Sequence, residues 1–308
     1  MKTLRFIVLL LIASAFTPAD DVKLKYTFLK GEEYQWSQVV SQTIKQSFGG
    51  MDQIIENTIR AVLKIKVIEV TPTGAKLETQ YINMAMFMKM PAGMGDMTLE
   101  SDGPQDKSEN KVMKALTGKP FFVHMSGQGK IEKIENIENL WSGLAGAGLE
   151  QQQLALMKQQ LQESLGEKSI RNSFENGFIV YPDKTVKVGD KWSQKTGMPG
   201  NFPLLLDNNW SVTSIAKDVV KFSSEGTIVT TNKDQLVSLP NGLKSKVDLS
   251  GGQKLYSSVD PKTGWPKEVK STSEMKGTLK LLAGGMIPQD MDVPMSILTE
   301  STYTIIKK

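Results

Sequence analysis

The chain has 308 residues, of which 39% are hydrophobic and 23% are charged, a balance that leaves apolar material for one large core or two small ones. It contains no cysteine, which excludes disulfides, thiolate metal sites, cysteine nucleophiles and a lipid-modified cysteine. With 37 basic and 33 acidic residues, the net charge is too small and too evenly spread to favour nucleic acid or an anionic membrane surface as a partner.

Residues 1–19 predict a secretory signal peptide and a short mature start. Lys2 and Arg5 form a basic beginning, and Phe6 to Ile12 is an uninterrupted apolar run. This run is well short of the roughly 20 residues that a membrane-spanning helix needs. We expect cleavage after Ala15, or after Ala19 as the second choice. The mature protein is then periplasmic or secreted, soluble, and without an integral membrane segment.

Residues 20–135 predict the first of two β-rich halves. Leu24, Tyr26 and Phe28 alternate with polar residues, and residues 34–48 and 59–67 continue this period of two. Half-buried antiparallel strands show such a pattern because successive side chains of a strand point to opposite faces. We therefore expect an antiparallel meander that begins near Val22.

Three short segments of this half are predicted to be structural. Residues 102–111 read as a polar loop, and residues 126–130 read as the turn of a β-hairpin. His124 is the single histidine of the chain, and a lone histidine on a strand most often has a structural role. One histidine and no cysteine cannot form a zinc site with several such ligands.

Residues 136–176 predict a helical insertion between the two halves. Apolar residues recur there at helical spacing, and the second of two such stripes ends before Gly166. The first stripe consists of Ile137, Leu140, Trp141 and Leu144, and the second of Leu154, Met157, Leu161 and Leu165.

Residues 177–308 predict the second β half, with the strand pattern resuming at Phe178 and a strong turn signal at residues 260–264. Residues 30–38 echo residues 188–194 if one gap is placed before the tryptophan. Both duplication and chance account for so short a match. The sequence leaves open whether the halves form one sheet or two. The predicted fold class is α+β and mostly antiparallel β, a curved sheet or half-barrel with a central helical insertion and two pseudo-repeated β halves.

Several turn-centred motifs resemble an uncharacterised family of exported, β-rich proteins, a domain of unknown function common in Bacteroidota-type bacteria. The motifs occur in the same order over nearly the whole mature chain, and the resemblance implies compartment and architecture only. They comprise residues 29–34, Met84 and Met86 followed by residues 100–102, residues 116–121, 129–133, 186–192 and 260–264. More distantly, the order of elements is similar to the half-barrel lipoprotein carriers of the LolA and LppX type, an analogy of fold alone.

Methionine is concentrated in one stretch, where six of the 16 methionines lie between residues 84 and 97. Met84, Met86 and Met88 occupy alternate positions and are expected on one face of a strand, with Ala85 and Phe87 on the other. Because both faces are apolar, both need to be covered. The methionine face either packs as core against the helices or lines a pocket for an apolar ligand. A copper(I) site is the third interpretation.

No catalytic constellation is found, and no cofactor or metal is expected. We therefore predict an exported, non-catalytic binder or carrier of an apolar ligand, either a hydrophobic small molecule or a lipidated protein, with an oligomeric state that the sequence does not give. The alternatives are a cell-envelope hydrolase with unidentified carboxylates and a methionine-rich copper-binding protein. The predicted ligand-binding residues are Met84, Met86, Phe87, Met88, Trp141, Leu144, Leu154, Met157 and Leu161.

Overall fold

A computed structural model of the chain describes most of the predicted mature protein. The predicted signal peptide lies outside them. The described residues are 21–91, 95–147, 150–152, 154–155, 158, 165–198, 202–239, 243–284 and 287–308.

The described residues form thirteen strands, which agrees with the alternating patterns in both halves of the sequence. Several strands exceed the usual length of five or six residues, because the period of two continues without a break. The strands are β1 Glu33–Phe48, β2 Met51–Val70, β3 Gly74–Lys89, β4 Met97–Glu100, β5 Phe121–Ser126, β6 Ile131–Glu135, β7 Lys191–Gly197, β8 Leu204–Ala216, β9 Val219–Thr230, β10 Val237–Ser238, β11 Lys244–Val259, β12 Pro266–Leu281 and β13 Met291–Lys307.

All thirteen strands belong to one open, curved antiparallel sheet, which confirms the predicted fold class. The main path runs β6-β5-β3-β2-β1-β13-β12-β11-β9-β8-β7, with β4 on β3 and β10 on β11. The first half is a meander that moves outward from β1, and the second is a meander that returns to β13. The two halves meet where β1 pairs with β13 from Tyr34 to Gln46, so they form one sheet.

Glycines bring the backbones of β11 and β12 unusually close together. A Cβ atom on Gly251 would lie 1.9 Å from the carbonyl oxygen of Glu274, and one on Gly277 would lie 1.9 Å from that of Asp248. No other residue fits such spacing, and glycine inside a strand commonly marks a bend or a close approach. These two positions therefore contribute to the curvature of the sheet.

The helices are short and lie on one side of the sheet. Helical residues occur inside the predicted insertion, but the first helix begins within residues 102–111, the predicted polar loop, and continues to Ala115. Its sequence has no apolar stripe; Val112, Met113 and the amide of Asn110 are buried, and Asn110 Oδ1 accepts a hydrogen bond from Glu100 N. Tertiary packing, not helical periodicity, therefore specifies it. The helices are α1 Ser108–Ala115, α2 Asn139–Ser142, a 3-10 turn at Leu144–Gly146, and α3 Glu167–Gly177.

Helix α3 bridges the two edges of the sheet. Arg171 Nη1 donates to the carbonyl oxygen of Ile131 on β6, at 2.6 Å. Asn172 and Asn176 donate to the carbonyl oxygens of Met198 and Gly197, at the end of β7. Edge strands present unpaired backbone groups, and here side chains of one helix satisfy several of them on both edges.

Residues 22–28, which we call the strap, cross the end of the sheet that is nearest to α3. Leu24, Tyr26 and Phe28 are buried, as their alternation predicts, but the segment is not a strand of the meander. Tyr26 N donates to Gly127 O in one hairpin turn, and Thr27 N donates to Thr263 O in another. An alternating pattern of apolar residues indicates an extended chain with one buried side. It does not show whether that chain is hydrogen-bonded to a neighbouring strand.

Residues 178–186 are also extended without joining the main ladder, so the strand pattern does not resume at Phe178 as predicted. Phe178, Ile179 and Tyr181 are buried in the core, and Val186 forms an isolated bridge with Val22 of the strap. The second half of the sheet begins at Lys191. We call the strap, residues 178–186 and α3 together the plug.

Aromatic rings fill the space between the plug and the sheet. Tyr34 of β1 stacks on Trp265 with ring centroids 4.1 Å apart, and Trp36 packs against Phe174 of α3 at 4.8 Å. The Tyr26 hydroxyl donates to Ile179 O at 3.1 Å and accepts from Ile179 N at 3.2 Å. Such rings bury large areas, so this cluster is the main source of stability at this end.

The sequence echo corresponds to a repeated local structure. Gly31 N donates to Val67 O while Val67 N donates to Glu32 O, and Gly189 N donates to Val212 O while Val212 N donates to Asp190 O. Both glycines have a positive φ, 91° and 90°. The structural alignment needs no gap, so it places Tyr34, not Trp36, opposite Trp192.

The bond between Tyr26 and Ile179 gives a test of the plug. Tyr26→Phe leaves the backbone groups of Ile179 buried without a partner, which we expect to lower the free energy of unfolding by about 1–3 kcal/mol. Urea denaturation followed by tryptophan fluorescence measures this loss. Tyr256→Phe is the control, because Tyr256 is 63% exposed. An equal change in the two variants would contradict the role of the plug.

Candidate functional site

The sheet has an inner face, defined as the side that carries Trp36, Leu63 and Ile305. These three residues are paired across β2, β1 and β13, and all are buried at the plug end. Farther along the same strands the inner face is not covered by the plug. The composition of this remaining surface determines what it can bind.

Below the plug, the inner face of the described central strands, which are β1, β2, β13, β12 and β11, carries no charged residue. Between Trp36 and Phe48, the inner-face positions of β1 carry aromatic, aliphatic and glutamine side chains, and the residues paired with them on β2 and β13 are also uncharged. Within the described strands, the same holds at the inner-face positions of β11 from Ser245 to Ser257 and of β12 from Val269 to Leu281. The chain has many charges, and on these strands they face outward.

A straight row of neutral, mostly polar residues crosses the inner face from strand to strand. Successive members are directly paired in the ladder, so the row runs perpendicular to the strands. With strands about 4.8 Å apart, it extends for roughly 30 Å along the sheet. The members of this neutral row are Asn57, Gln42, Thr299, Ser273, Gln253, Gly226, Asn208 and Gln194.

Some polar groups of the neutral row are paired and others are not. Gln42 Nε2 donates to Thr299 Oγ1 at 3.3 Å, and Asn208 Oδ1 accepts from Ser224 Oγ at 3.1 Å. Asn57 Oδ1 and Gln253 Oε1 are buried and have no hydrogen-bond partner among the described residues. Because buried polar atoms are normally satisfied, these two oxygens indicate a place where a donor from outside the chain can bind.

Beyond the neutral row, the inner face of the second half is apolar and covered. Leu206, Ile228 and Leu249 are at most 1% exposed, and partly buried Phe202 and Ile287 pack against their cluster. This part of the inner face is therefore ordinary core.

In the first half, the inner face around the Asn57 end of the neutral row is largely apolar and only partly covered. Met51 is 65% exposed and Met97 is 39% exposed, whereas Met86 and Met88 are half-buried. Cross-strand pairing places Met86 opposite Ile59 and Leu99, and Met88 opposite Asn57 and Met97. Met51 lies on the same face of β2, nearer the hairpin, where it is paired with Phe48. We call this surface the methionine strip, which consists of Met51, Ile55, Ile59, Met86, Met88, Met97 and Leu99.

The structure divides the predicted site residues into groups. Met84 is 6% exposed and belongs to the same core cluster as Trp141 and Leu144, against which Leu154 packs. Met86 and Met88 lie outside that cluster, in the methionine strip. Met157 and Leu161 lie outside the described residues.

Phe87 does not share a surface with the methionines. It lies on the outer face, where the guanidinium carbon of Arg60 is 5.2 Å from its ring centroid. Phe87 is one of the predicted ligand-binding residues, and its placement on the opposite side of β3 removes it from that set. A β-bulge near Ile82 also places Tyr81 on the same face as Met84, a change of parity that the sequence does not reveal.

Sequence reasoning missed Met51, Ile55, Ile59 and Leu99 as members of the strip. Met51 and Ile55 have the same parity as Ile59 in the sequence, but Gln53 and Asn57 interrupt the apolar alternation between them. Only the register of β2 and β4 against β3 shows that these residues surround Met86 and Met88.

The single histidine takes part in an ion-pair cluster on the outer face. Glu135 Oε1 lies 2.6 Å from Lys133 Nζ, and Glu135 Oε2 lies 2.7 Å from Lys76 Nζ and 3.2 Å from His124 Nε2. Hydrogen bonds from Lys133 and Lys76 hold the pKa of Glu135 well below its usual value. The cluster joins β3, β5 and β6, and it contains no group arranged as a nucleophile with a base.

A second concave region of about 630 Å³ lies on the outer face above Gly251 and Gly252. Its lining includes Glu225, Lys254, Thr272, Glu274 and Lys276, all of which are exposed. Exposed charges of both signs are typical of a solvated surface, so this depression is not the candidate site.

The described part of the chain contains no helix with the length and hydrophobicity of a membrane span. Nor does any group of three or more His, Asp or Glu side chains there come together in a way that could hold a metal ion.

Comparison with known proteins identifies the family. Residues 73–266, more than half of the chain, match the family of unknown function DUF6263. The chain belongs to this family. The match confirms the predicted membership of an uncharacterised family, whereas the export, the bacterial group and the analogy to half-barrel carriers remain predictions. No curated protein matches the chain.

Solved structures give only distant matches to this DUF6263 member. An outer membrane channel, COG4313, from Pseudomonas putida F1 is 8% identical, with 91% of this chain and 97% of that chain covered and a TM-score of 0.26. DynF from the dynemicin biosynthesis pathway of Micromonospora chersina is 10% identical, with 98% and 91% covered and a TM-score of 0.22. These TM-scores are too low to indicate a shared fold.

The exposure of the methionine strip is directly measurable. On brief treatment with dilute hydrogen peroxide, we expect Met51 and Met97 to form sulfoxide several-fold faster than the buried Met84 and Met125, because accessible thioethers oxidise first. Peptide mass spectrometry at several times gives the rates. Equal protection of all four residues would show that the strip is covered.

Proposed function

We propose that this protein is a non-catalytic binder or carrier of an apolar ligand in the periplasm or the extracellular medium. The observation that carries the proposal is the methionine strip. It is a largely apolar surface on the concave side of the sheet, around the Asn57 end of the neutral row, and Met51 and Met97 within it stay exposed, whereas Phe202 and Ile287 pack against the apolar cluster of the second half.

The physical properties of the strip favour a flexible apolar guest. Burial of each methylene group contributes about 0.8 kcal/mol, so an acyl chain lying on the strip gains substantial binding free energy. Methionine side chains are unbranched and polarizable, and they adapt to guests of different shape. The concave side of a curved sheet also limits access of water to such a guest.

The two alternative functions have weaker support. A hydrolase needs at least two carboxylates, or a carboxylate and a nucleophile, facing each other in a cleft, and the inner-face positions of the described central strands carry no carboxylate. Copper(I) needs several sulfurs around one point. Met88 is paired with Met97, but Met86 and Met88 project from positions separated by about 6–7 Å along the strand.

A charge placed on the strip tests the proposal. Met88→Lys introduces an unpaired ammonium group into the apolar surface, so we expect N-phenyl-1-naphthylamine to bind at least about tenfold more weakly, equivalent to about 1.4 kcal/mol. Fluorescence titration measures the affinity. The matched control is Thr98→Lys, because Thr98 is exposed on the outer face of the adjacent β4.

Three outcomes would count against an apolar-ligand binder. They are no binding of the dye by the unmodified protein, an equal loss of affinity in the control variant, and tight binding of copper(I) that is abolished in Met88→Lys while dye binding persists.

A further inference from the structure

We infer that the ligand is an amphiphile whose polar group is uncharged and rich in hydroxyl groups, such as a neutral glycolipid. This inference rests on the proposed function and specifies its ligand class. The polar group would bind along the neutral row, and the apolar chain would lie on the methionine strip.

The neutral row and the methionine strip are continuous with each other. Asn57, a member of the row, is directly paired with Met88, a member of the strip. From Asn57 the row continues through Gln42 to Thr299, and these three residues are half-buried. One molecule can therefore contact the strip with its chain and the row with its polar end.

The absence of charge on the central inner face argues against an ionic headgroup. A carboxylate or phosphate placed next to Gln42 and Asn57 would lose hydration without gaining a counter-ion, since no lysine or arginine occupies an inner-face position of β1 or β2 between Trp36 and Phe48 or opposite them. An ammonium group would lose hydration in the same way. Burying an unpaired ion is far more costly than burying a hydrogen-bonded neutral group.

The hydrogen-bonding capacity of the row matches hydroxyl groups. Asparagine and glutamine amides and serine and threonine hydroxyls both donate and accept, as the hydroxyls of a saccharide do. The oxygens of Asn57 and Gln253 have no donor among the described residues, and a hydroxyl of the ligand can supply one. The half-buried part of the row, from Asn57 through Gln42 to Thr299, crosses three strands and is roughly 10 Å long, enough for one or two sugar units.

Competition among three amphiphiles of equal chain length tests the headgroup. Dodecyl maltoside is neutral, dodecyl phosphate is anionic and dodecyltrimethylammonium is cationic. Each would compete with bound N-phenyl-1-naphthylamine below its critical micelle concentration. We expect dodecyl maltoside to displace the dye with an inhibition constant at least about tenfold lower than those of the two ionic compounds, because only its headgroup avoids an uncompensated ion.

An isosteric variant tests which residues cause the preference. Asn57→Asp adds a negative charge to the row without changing its shape. We expect it to weaken dodecyl maltoside binding and to strengthen dodecyltrimethylammonium binding until the order reverses. Gln253→Glu is the second variant if Asn57→Asp does not fold. Thr272→Asp, on the exposed outer face next to Ser273, should leave the order unchanged.

The outcomes separate this inference from the function on which it rests. If the dye binds but all three amphiphiles compete equally, if an ionic one competes best, or if none competes, the headgroup inference is wrong and the apolar-ligand function stands. If the dye does not bind at all, the function itself is wrong. Unchanged selectivity in both row variants would also overturn the inference.

Discussion

The need to fill the inner face of a wide, curved antiparallel sheet dominates this structure. At one end the aromatic plug fills it, as Tyr34 stacks on Trp265 and Trp36 packs against Phe174. The strap binds hairpin turns from both halves of the sheet, and α3 bonds to both edge strands. The plug cluster and the covered apolar cluster of the second half supply the buried apolar area, so the remaining inner face need not be a closed core.

The part of the inner face that the plug does not cover has a composition that is unusual for a protein core. Cores are normally apolar, because each polar group inside them must find a partner. Here a polar row crosses eight of the strands in register, bordered by a covered apolar region in one half and by the methionine strip in the other. An amphipathic ligand explains both the uncharged polar residues and the partly exposed apolar ones, whereas neither feature contributes much to folding stability.

The sequence predicts which side chains of an extended segment are buried better than it predicts which strands that segment pairs with. Alternation correctly identified the buried side chains of residues 24–28, yet that segment is a strap held by turns. The grouping of Met86 with Met88 followed directly from their spacing. The neutral row could not be predicted from the sequence, because Asn57 and Gln253 become aligned only through the register of several strands. Helix α1 and the bulge near Ile82 depend on tertiary packing, which local patterns do not encode.

Native mass spectrometry of the protein isolated from the cells that produce it is the most direct measurement of the central claim, that the concave face holds an amphiphile. The account predicts a fraction of the protein carrying a noncovalent adduct that dissociates on collisional activation as an uncharged, lipid-like molecule. A spectrum containing only the bare chain, or an adduct with the mass of copper, would contradict the account.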